Sequence, residues 1–332
     1  MPELRKDPVL GRWIIIAEQR GKRPTDFIVE ETLSTGGFCP LCPGNERTTP
    51  PEVLVYGRTG DQGANMPGWQ VRVVPNKYPA LVIEGELDKQ ADGLYDKMNG
   101  IGAHEVVIEN PDHEVVFSAL PPRDMLFVFR AFRDRINDLE RDSRFRYVLV
   151  FKNFGRAAGA SLEHSHSQLV ALPILPRKID SELQGAISYY RYKERCIYCD
   201  IVRQEIQQGV RVVCQNDDFL VITPFAPRMP FEMWILPKRH SSAYHKQNDQ
   251  QLAQLTEVFS ECLRRLNACI PGVPYNFVLH TQPLRTEPLA HYHWHFEIVP
   301  KLTSIAGFEW GSGFYINPMS PEEAAGFLRD AL

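Results

Sequence analysis

The 332-residue chain contains no uninterrupted apolar run near the ~18 residues that a membrane-spanning helix needs, so no membrane span is expected. It has no excess of basic charge either: 37 Lys and Arg stand against 41 Asp and Glu, a net of −4 without a long run of one sign. The electrostatic footprint of a nucleic-acid-binding protein is therefore missing, and the expected partners are small molecules or a second copy of the chain. The opening stretch MPELRKDPVLGRW is charged and lacks the apolar core of a secretory signal, which points to a cytoplasmic protein. Cysteine and histidine are scarce, at seven and ten residues. What remains is 43% hydrophobic and 11% aromatic, enough to build cores rather than a disordered chain.

The few cysteines are placed with a pattern. Cys39/Cys42 and Cys196/Cys199 both read C-x-x-C, while Cys214, Cys262 and Cys269 are scattered. In a reducing compartment a paired C-x-x-C favours a metal over a structural disulfide. Cys262 and Cys269 fall in a helical pattern and are expected as small buried hydrophobes.

The chain length suggests two domains or a duplicated one, and the sequence repeats itself. The first half runs CPLC, WQVRVVPNKYPAL, HEVVIENPDH, a helix, VLVFKNFG and HSHSQLVALP. The second runs CIYC, DFLVITPFAP, FEMWILPKRH, a helix, YNFVLHTQP and HWHFEIVP. His113 to His164 spans 51 residues and His240 to His293 spans 53. Met125, Phe129, Phe132, Ile136 and Leu139 form one face of the first helix. Leu252, Leu255, Phe259, Cys262 and Leu266 form that of the second, after a capping candidate at Asn248. The other segments read as short strands. The expected fold is α+β: two tandem domains, 1–175 and 190–332, each a mainly antiparallel sheet with one long helix, joined through 173–190.

Each half offers two thiols and two imidazoles: Cys39, Cys42, His113 and His164, then Cys196, Cys199, His240 and His293. That donor set suits tetrahedral zinc, and a site with all four positions filled by protein is structural rather than catalytic. His104 competes with His113, and His280, His291 and His295 compete with His293. CIYC also lacks the Pro-Gly of CPLCPG. Two zinc ions per chain are expected, or one zinc and a different second metal if His280 and His295 displace the cysteines.

In G-A-S-L-E-H-S-H-S-Q, residues 159–168, a strand would put His164, His166 and Gln168 on one face, about 7 Å between successive members, with Ser165 and Ser167 on the other. With His164 on a metal, His166 becomes a positioned, unliganded imidazole, a nucleophile if its other N–H is anchored. The preceding loop NFGRAAGAS can bring backbone N–H groups at Gly159 close to an anion, and Ser161 adds a hydroxyl. Gln168 can donate to a phosphoryl oxygen without exchanging a proton. Together these imply phosphoryl or nucleotidyl transfer. The second half repeats the motif as His293-Trp294-His295, but its loop TQPLRTEPLA has no glycine, so a single chemical site per chain is expected. A zinc scaffold would not need this combination. A histidine-triad hydrolase would favour a third histidine at 168.

FKNFGRAAGASLEHSHSQ, VVPNKYPAL and DPVLGRWIIIAEQRGKRP together resemble the class I galactose-1-phosphate uridylyltransferases, within the histidine-triad superfamily. The resemblance implies histidine-triad-like domains, a homodimer sharing its sites, and ping-pong transfer through a nucleotidylated His166 from a nucleotide sugar, UDP-glucose with hexose 1-phosphate. It implies Arg20, Arg23, Asn76, Lys77 and Asn153 as substrate contacts beside Gly159, with Ser161 touching phosphate and Gln168 stabilising the nucleotidylated histidine. H-S-H-S-Q stands where the best-known members read H-P-H-G-Q. The C-x-x-C of the second half and the tail SIAGFEWGSGFYINP bring the chain near the ADP-glucose phosphorylase branch, in which inorganic phosphate is the acceptor.

Overall fold

The computed structural model describes residues 2–18, 24, 27, 37–58 and 63–332. The first half forms β1 (Glu3–Lys6), β2 (Trp13–Ile16), β3 (Leu54–Tyr56), β4 (Val71–Pro75), β5 (Gln90–Asp92), β6 (Tyr95–Lys97), β7 (Ala103–Ile108), α1 (Pro122–Leu139), β8 (Tyr147–Phe154) and β9 (His166–Leu172). Then follow α2 (Arg177–Lys193), α3 (Ile197–Gln208), β10 (Val212–Gln215), β11 (Phe219–Ile222), β12 (Met233–Pro237), α4 (Asp249–Cys269), β13 (Tyr275–His280), β14 (His295–Pro300), α5 (Gly307–Ser312), β15 (Tyr315–Asn317) and α6 (Pro321–Asp330). No helix among the described residues is long and apolar enough to cross a membrane.

The sequence repeat is a repeat of topology. One ten-stranded sheet runs β10-β11-β12-β14-β13-β8-β9-β7-β4-β3. Read inward from either edge, each half places its strands first, second, third, fifth, fourth in chain order. The halves meet where β8 pairs antiparallel with β13, with Asn153 opposite Asn276 and Val150 opposite Leu279. The stretch joining them consists mostly of α2.

Alternation along the strands gives the sheet two faces. On one, Val150, Leu169, Phe277 and Phe296 share a single core with Phe129 and Phe132 of α1 and Phe259 of α4. The expected apolar faces of both helices are buried there, and Asn248 caps α4 in a reciprocal capping box with Gln251. The other face differs between the halves. Over the second half, Ile179, Leu183, Ile197 and Tyr198 of α2 and α3 pack on Leu220, Trp234 and Leu236. Over the first half the described residues form a small cluster around Cys39, Leu41, Trp69, Val74 and Ile108. The two extra helices cover that face in the second copy of the repeat; among the described residues no helix covers it in the first.

Candidate active site and metal centres

The C-x-x-C pairs and histidines assemble as the spacing predicts. Cys39, Cys42, His113 and His164 bring their ligand atoms within 4.8 Å of one another, and so do Cys196, Cys199, His240 and His293. The Cys42 Sγ lies 3.3 Å from His113 Nδ1 and 3.5 Å from His164 Nδ1; the Cys199 Sγ lies 3.4 Å from His240 Nδ1 and 3.8 Å from His293 Nδ1. The two imidazoles cross edge to face in both centres, at 89° and 86°. The far nitrogens settle the tautomers. His164 Nε2 faces the Asn110 carbonyl at 2.9 Å, His240 Nε2 that of Leu289 at 3.0 Å, and His293 Nε2 those of Pro237 and Arg239. With Nε2–H donated to a carbonyl, each Nδ1 keeps its lone pair toward the thiols, the outer-shell arrangement of metal-bound histidine. Burial and the Cys39 thiol push Cys42 up to about 11; a cation bound between them would reverse that.

Two details differ from the sequence reading. CIYC does not form a turn knuckle: Cys196 is the N-cap of α3 and Cys199 sits in its first turn, so the helix start supplies the i, i+3 spacing without Pro-Gly. The competitors are also removed. His280 and His295 belong to a third, fully buried group with Glu182 and Glu297, in which His280 Nδ1 is 2.8 Å from Glu182, and Arg228 and Lys178 both reach Glu297 at 2.7 Å. His291 stands beside Tyr190, and His104 lies against Gln168.

β9 begins at His166, so His164 lies in a bend just before the strand, beside the Cys39 and Cys42 thiols and the Asn110 carbonyl. His166 is 6% exposed. Its Nδ1–H donates to the His164 carbonyl at 2.8 Å, and burial above all, then the Lys152 charge, holds its basicity below that of an ordinary imidazole. The ring is neutral at neutral pH with an unprotonated Nε2, the state a nucleophile needs.

A cavity of about 380 Å³ opens on it, lined by Asn153, Gly155, Arg156, Ser161, His164 and His166. Gly155 and Gly159 take φ of +80° and +89°, a region open to glycine at no steric cost, and they turn the loop 155–161 over the strand ends. The loop is tied from the other half: Asn276 Nδ2 donates to Asn153 Oδ1 and to the Ala158 carbonyl, both at 2.8 Å. Ser161 is exposed at the cavity edge.

Gln168 is oriented by a residue that the sequence reading treated as a competing ligand. The Ala80 N–H donates to His104 Nδ1 at 3.1 Å, so the His104 proton sits on Nε2, 2.8 Å from Gln168 Oε1. With its oxygen taken, the Gln168 amide presents its NH₂. Asn76 lies 3.2 Å from the same His104 nitrogen, with its Oδ1 accepting from the Tyr78 N–H. Lys77 is exposed, reaching the Thr48 carbonyl at 3.4 Å. Arg20 and Arg23 lie outside the described residues. Arg156 and Asn276 were not singled out in the sequence; Arg156 stands in the quoted loop, and Asn276 is joined to the loop only by the β8–β13 pairing.

Comparison with known proteins places this geometry. The family model for the galactose-1-phosphate uridyl transferase N-terminal domain matches residues 1–176, and a domain of unknown function, DUF4921, matches 102–332. The chain belongs to the galactose-1-phosphate uridylyltransferase family. ADP-glucose phosphorylase of Arabidopsis thaliana is 37% identical over 99% of this chain and 93% of its own. Galactose-1-phosphate uridylyltransferase of Thermotoga maritima is 29% identical over 99% and 98%. The crystal structure of the Arabidopsis phosphorylase with bound ADP-glucose superposes with a TM-score of 0.85, at 35% identity over 99% of both chains. A uridylyltransferase structure gives 0.77 at 32% identity, over 100% of this chain and 98% of the other. The chain is a nucleotidyltransferase of this family, with the mixed α+β fold expected.

Proposed function

We propose that the chain cleaves a nucleotide sugar in two displacements through His166. His166 Nε2 attacks the α-phosphorus, the bond to the bridging oxygen breaks, and a sugar 1-phosphate leaves. The Nδ1–H keeps its bond to the His164 carbonyl as the ring becomes cationic. An oxygen of the acceptor then attacks the same phosphorus, the P–N bond breaks, and the neutral imidazole returns. Gln168, Ser161 and the amides near Gly159 donate to the phosphoryl oxygens, Asn153 shapes their loop, and Arg20, Arg23, Asn76 and Lys77 bind the nucleotide. The observation that carries this reading is the His166 ring, with one nitrogen spent on a carbonyl and the other bare at a glycine-loop cavity.

Inorganic phosphate is the acceptor we favour, with ADP-glucose as substrate. The 37% identity to a phosphorylase supports it, and so does the tail. Glu309 accepts from the Ala306 N–H and Ser312 donates to the Phe308 carbonyl, so the two side chains best suited to gripping a hexose are spent inside α5. Hexose-1-phosphate exchange on UDP-glucose is the second reading, supported by the match to the uridyl transferase domain over 1–176. Zinc is the metal whose chemistry suits both Cys₂His₂ centres, closed and structural, and the same reading takes the chain to act as a homodimer. Radiolabelled ADP-glucose and UDP-glucose should each be offered, the labelled protein isolated, and the label chased. We expect transfer from ADP-glucose and discharge by phosphate. Discharge by galactose 1-phosphate alone would establish the second reading, and absence of label on the wild-type protein would refute both.

A further inference from the structure

Behind the nucleophile, on the face of the sheet that packs against the helices, the structure holds a charged group with no use in the scheme above. Lys152 on β8 and Glu109, just past β7, form an ion pair at 2.5 Å, with side chains 1% and 0% exposed. Ser165 and Ser167, the residues on either side of His166, donate to opposite oxygens of that carboxylate. Lys152 Nζ donates in turn to Ser165 Oγ at 3.1 Å and to the carbonyl oxygen of His166 itself at 2.9 Å. Among the described residues, every side-chain hydrogen bond of the pair other than their own ends on residues 165–167. Lys152 also sits 5.4 Å above the Phe117 ring, inside the main core.

The second copy of the repeat is an internal control. His295-Phe296-Glu297 on β14 takes the place of His166-Ser167-Gln168: Phe296 lies opposite Ile235 as Ser167 lies opposite Val107. Leu279 faces Phe296 from β13, and Lys152 follows Phe151, the partner of Gln168, so it stands at the corresponding place beside Ser167. Trp294 corresponds to Ser165, and Pro237 to Glu109. Where the first copy buries Glu, Lys and two Ser, the second buries Pro, Leu, Trp and Phe. The same fold is therefore stable with hydrocarbon at these positions, and replacing a buried ion pair by hydrocarbon is often neutral or stabilising. The pair is retained in the first copy and absent from the copy whose histidine lies covered, 1% exposed, beneath Tyr198 and Trp234.

We propose that Glu109 and Lys152 are positioning residues that clamp the backbone on both sides of His166 and so set the direction of its Nε2 toward the phosphorus. The inference rests on His166 being the nucleophile. A strand held only by its ladder can twist by a few degrees at its first residue, which β9 leaves at His166; the clamp fixes that residue through its own carbonyl and both neighbours. A misplacement near 1 Å at a reacting group is worth on the order of 100-fold in rate.

The test is a double variant, Glu109→Gln with Lys152→Met, which removes both charges together and leaves an acceptor for the serines. Single-turnover nucleotidylation of His166 should be measured at saturating labelled ADP-glucose, beside nucleotide-sugar affinity, bound metal and thermal midpoint. We expect nucleotidylation slower by roughly 10- to 100-fold, with affinity within about threefold, unchanged metal, and a midpoint at or above that of the wild type. A wild-type rate in the folded variant overturns the proposal, and so does a rate that falls only in step with affinity and midpoint. If the double variant does not fold, Ser167→Ala measured in the same way decides, by a slower rate at unchanged affinity or by none. A wild-type protein that takes no label at His166 instead refutes the proposed function, which the wild-type control shows separately.

Discussion

In the proposed scheme His104 bears on the transfer step through Gln168 and on binding through Asn76, so its removal at saturating substrate is a sharp test of the site. Ala80 fixes the His104 proton on Nε2, and that proton holds the Gln168 oxygen at 2.8 Å. His104→Ala frees the amide to turn over, so the group facing the phosphoryl oxygens becomes a mixture of NH₂ and oxygen. One neutral hydrogen bond is worth about 1 kcal/mol net, roughly a fivefold preference between the two orientations. Losing that preference lowers the NH₂-facing fraction from about five-sixths to about one-half, so His104→Ala should slow nucleotidylation by about 2-fold at saturating substrate. Gln168→Ala removes the donor itself and should cost on the order of 100- to 1,000-fold, as for loss of one preorganised donor to a developing charge. The decisive measurement is the double variant. With Gln168 gone and substrate saturating, so that the Asn76 contact on binding drops out, loss of His104 has no phosphoryl donor left to misorient, and the double variant should react at the Gln168→Ala rate. Single-turnover transfer of label, rapidly quenched, gives all four rates. An undiminished His104→Ala effect in the Gln168→Ala background would refute the tautomer argument and make His104 a direct substrate contact.

Three further outcomes follow from the geometry. His166→Gly should abolish labelling with both metals retained, whereas His164→Ala should lose one metal and stability together, as elemental analysis and thermal melts will show; equal metal loss in both would refute the division of labour. Gly155→Ala places a Cβ 2.9 Å from that of Pro274 at φ +80°; it should destabilise by roughly 1–3 kcal/mol and raise KM through the displaced loop. Burial holds His245 down to about 4, against the opposing charge of Glu140. The unfolded chain takes up a proton below about pH 6.5 where the folded chain does not, so the stability is complete above pH 6.5 and shrinks by about 3 kcal/mol as pH falls to 4. Subtracting the urea-denaturation profile of His245→Leu from that of the wild type should isolate this slope, and a pH-independent difference would contradict it.

The repeat was legible because each copy keeps its chemistry-bearing residues in one order, and the two Cys/His clusters because thiols and imidazoles recur at matched spacing. The faces of α1 and α4 followed from apolar periodicity alone. α2 was hidden because it starts after the Pro-rich LPILP and buries Glu182 between Ile179 and Leu183, which interrupts the apolar pattern. His104 carries no local signal that separates an orienting imidazole from a ligand; only the Ala80 N–H does. Glu109, just past β7, and Lys152, on β8, stand 43 residues apart, so nothing in the order of residues says that they meet under His166.

The β8–β13 seam has a consequence for how the glycine loop behaves in dilute solution. Asn276 holds that loop across the seam, and it reaches it as part of the same covalent chain. Were the two halves separate polypeptides, the ordering of residues 155–161 would follow mass action and fade below their dissociation constant. Joined through α2, they meet at an effective concentration set by the connection and not by the amount of protein present. The glycine loop 155–161 is thus preassembled at any protein concentration, with the second copy of the repeat acting as a permanently tethered brace.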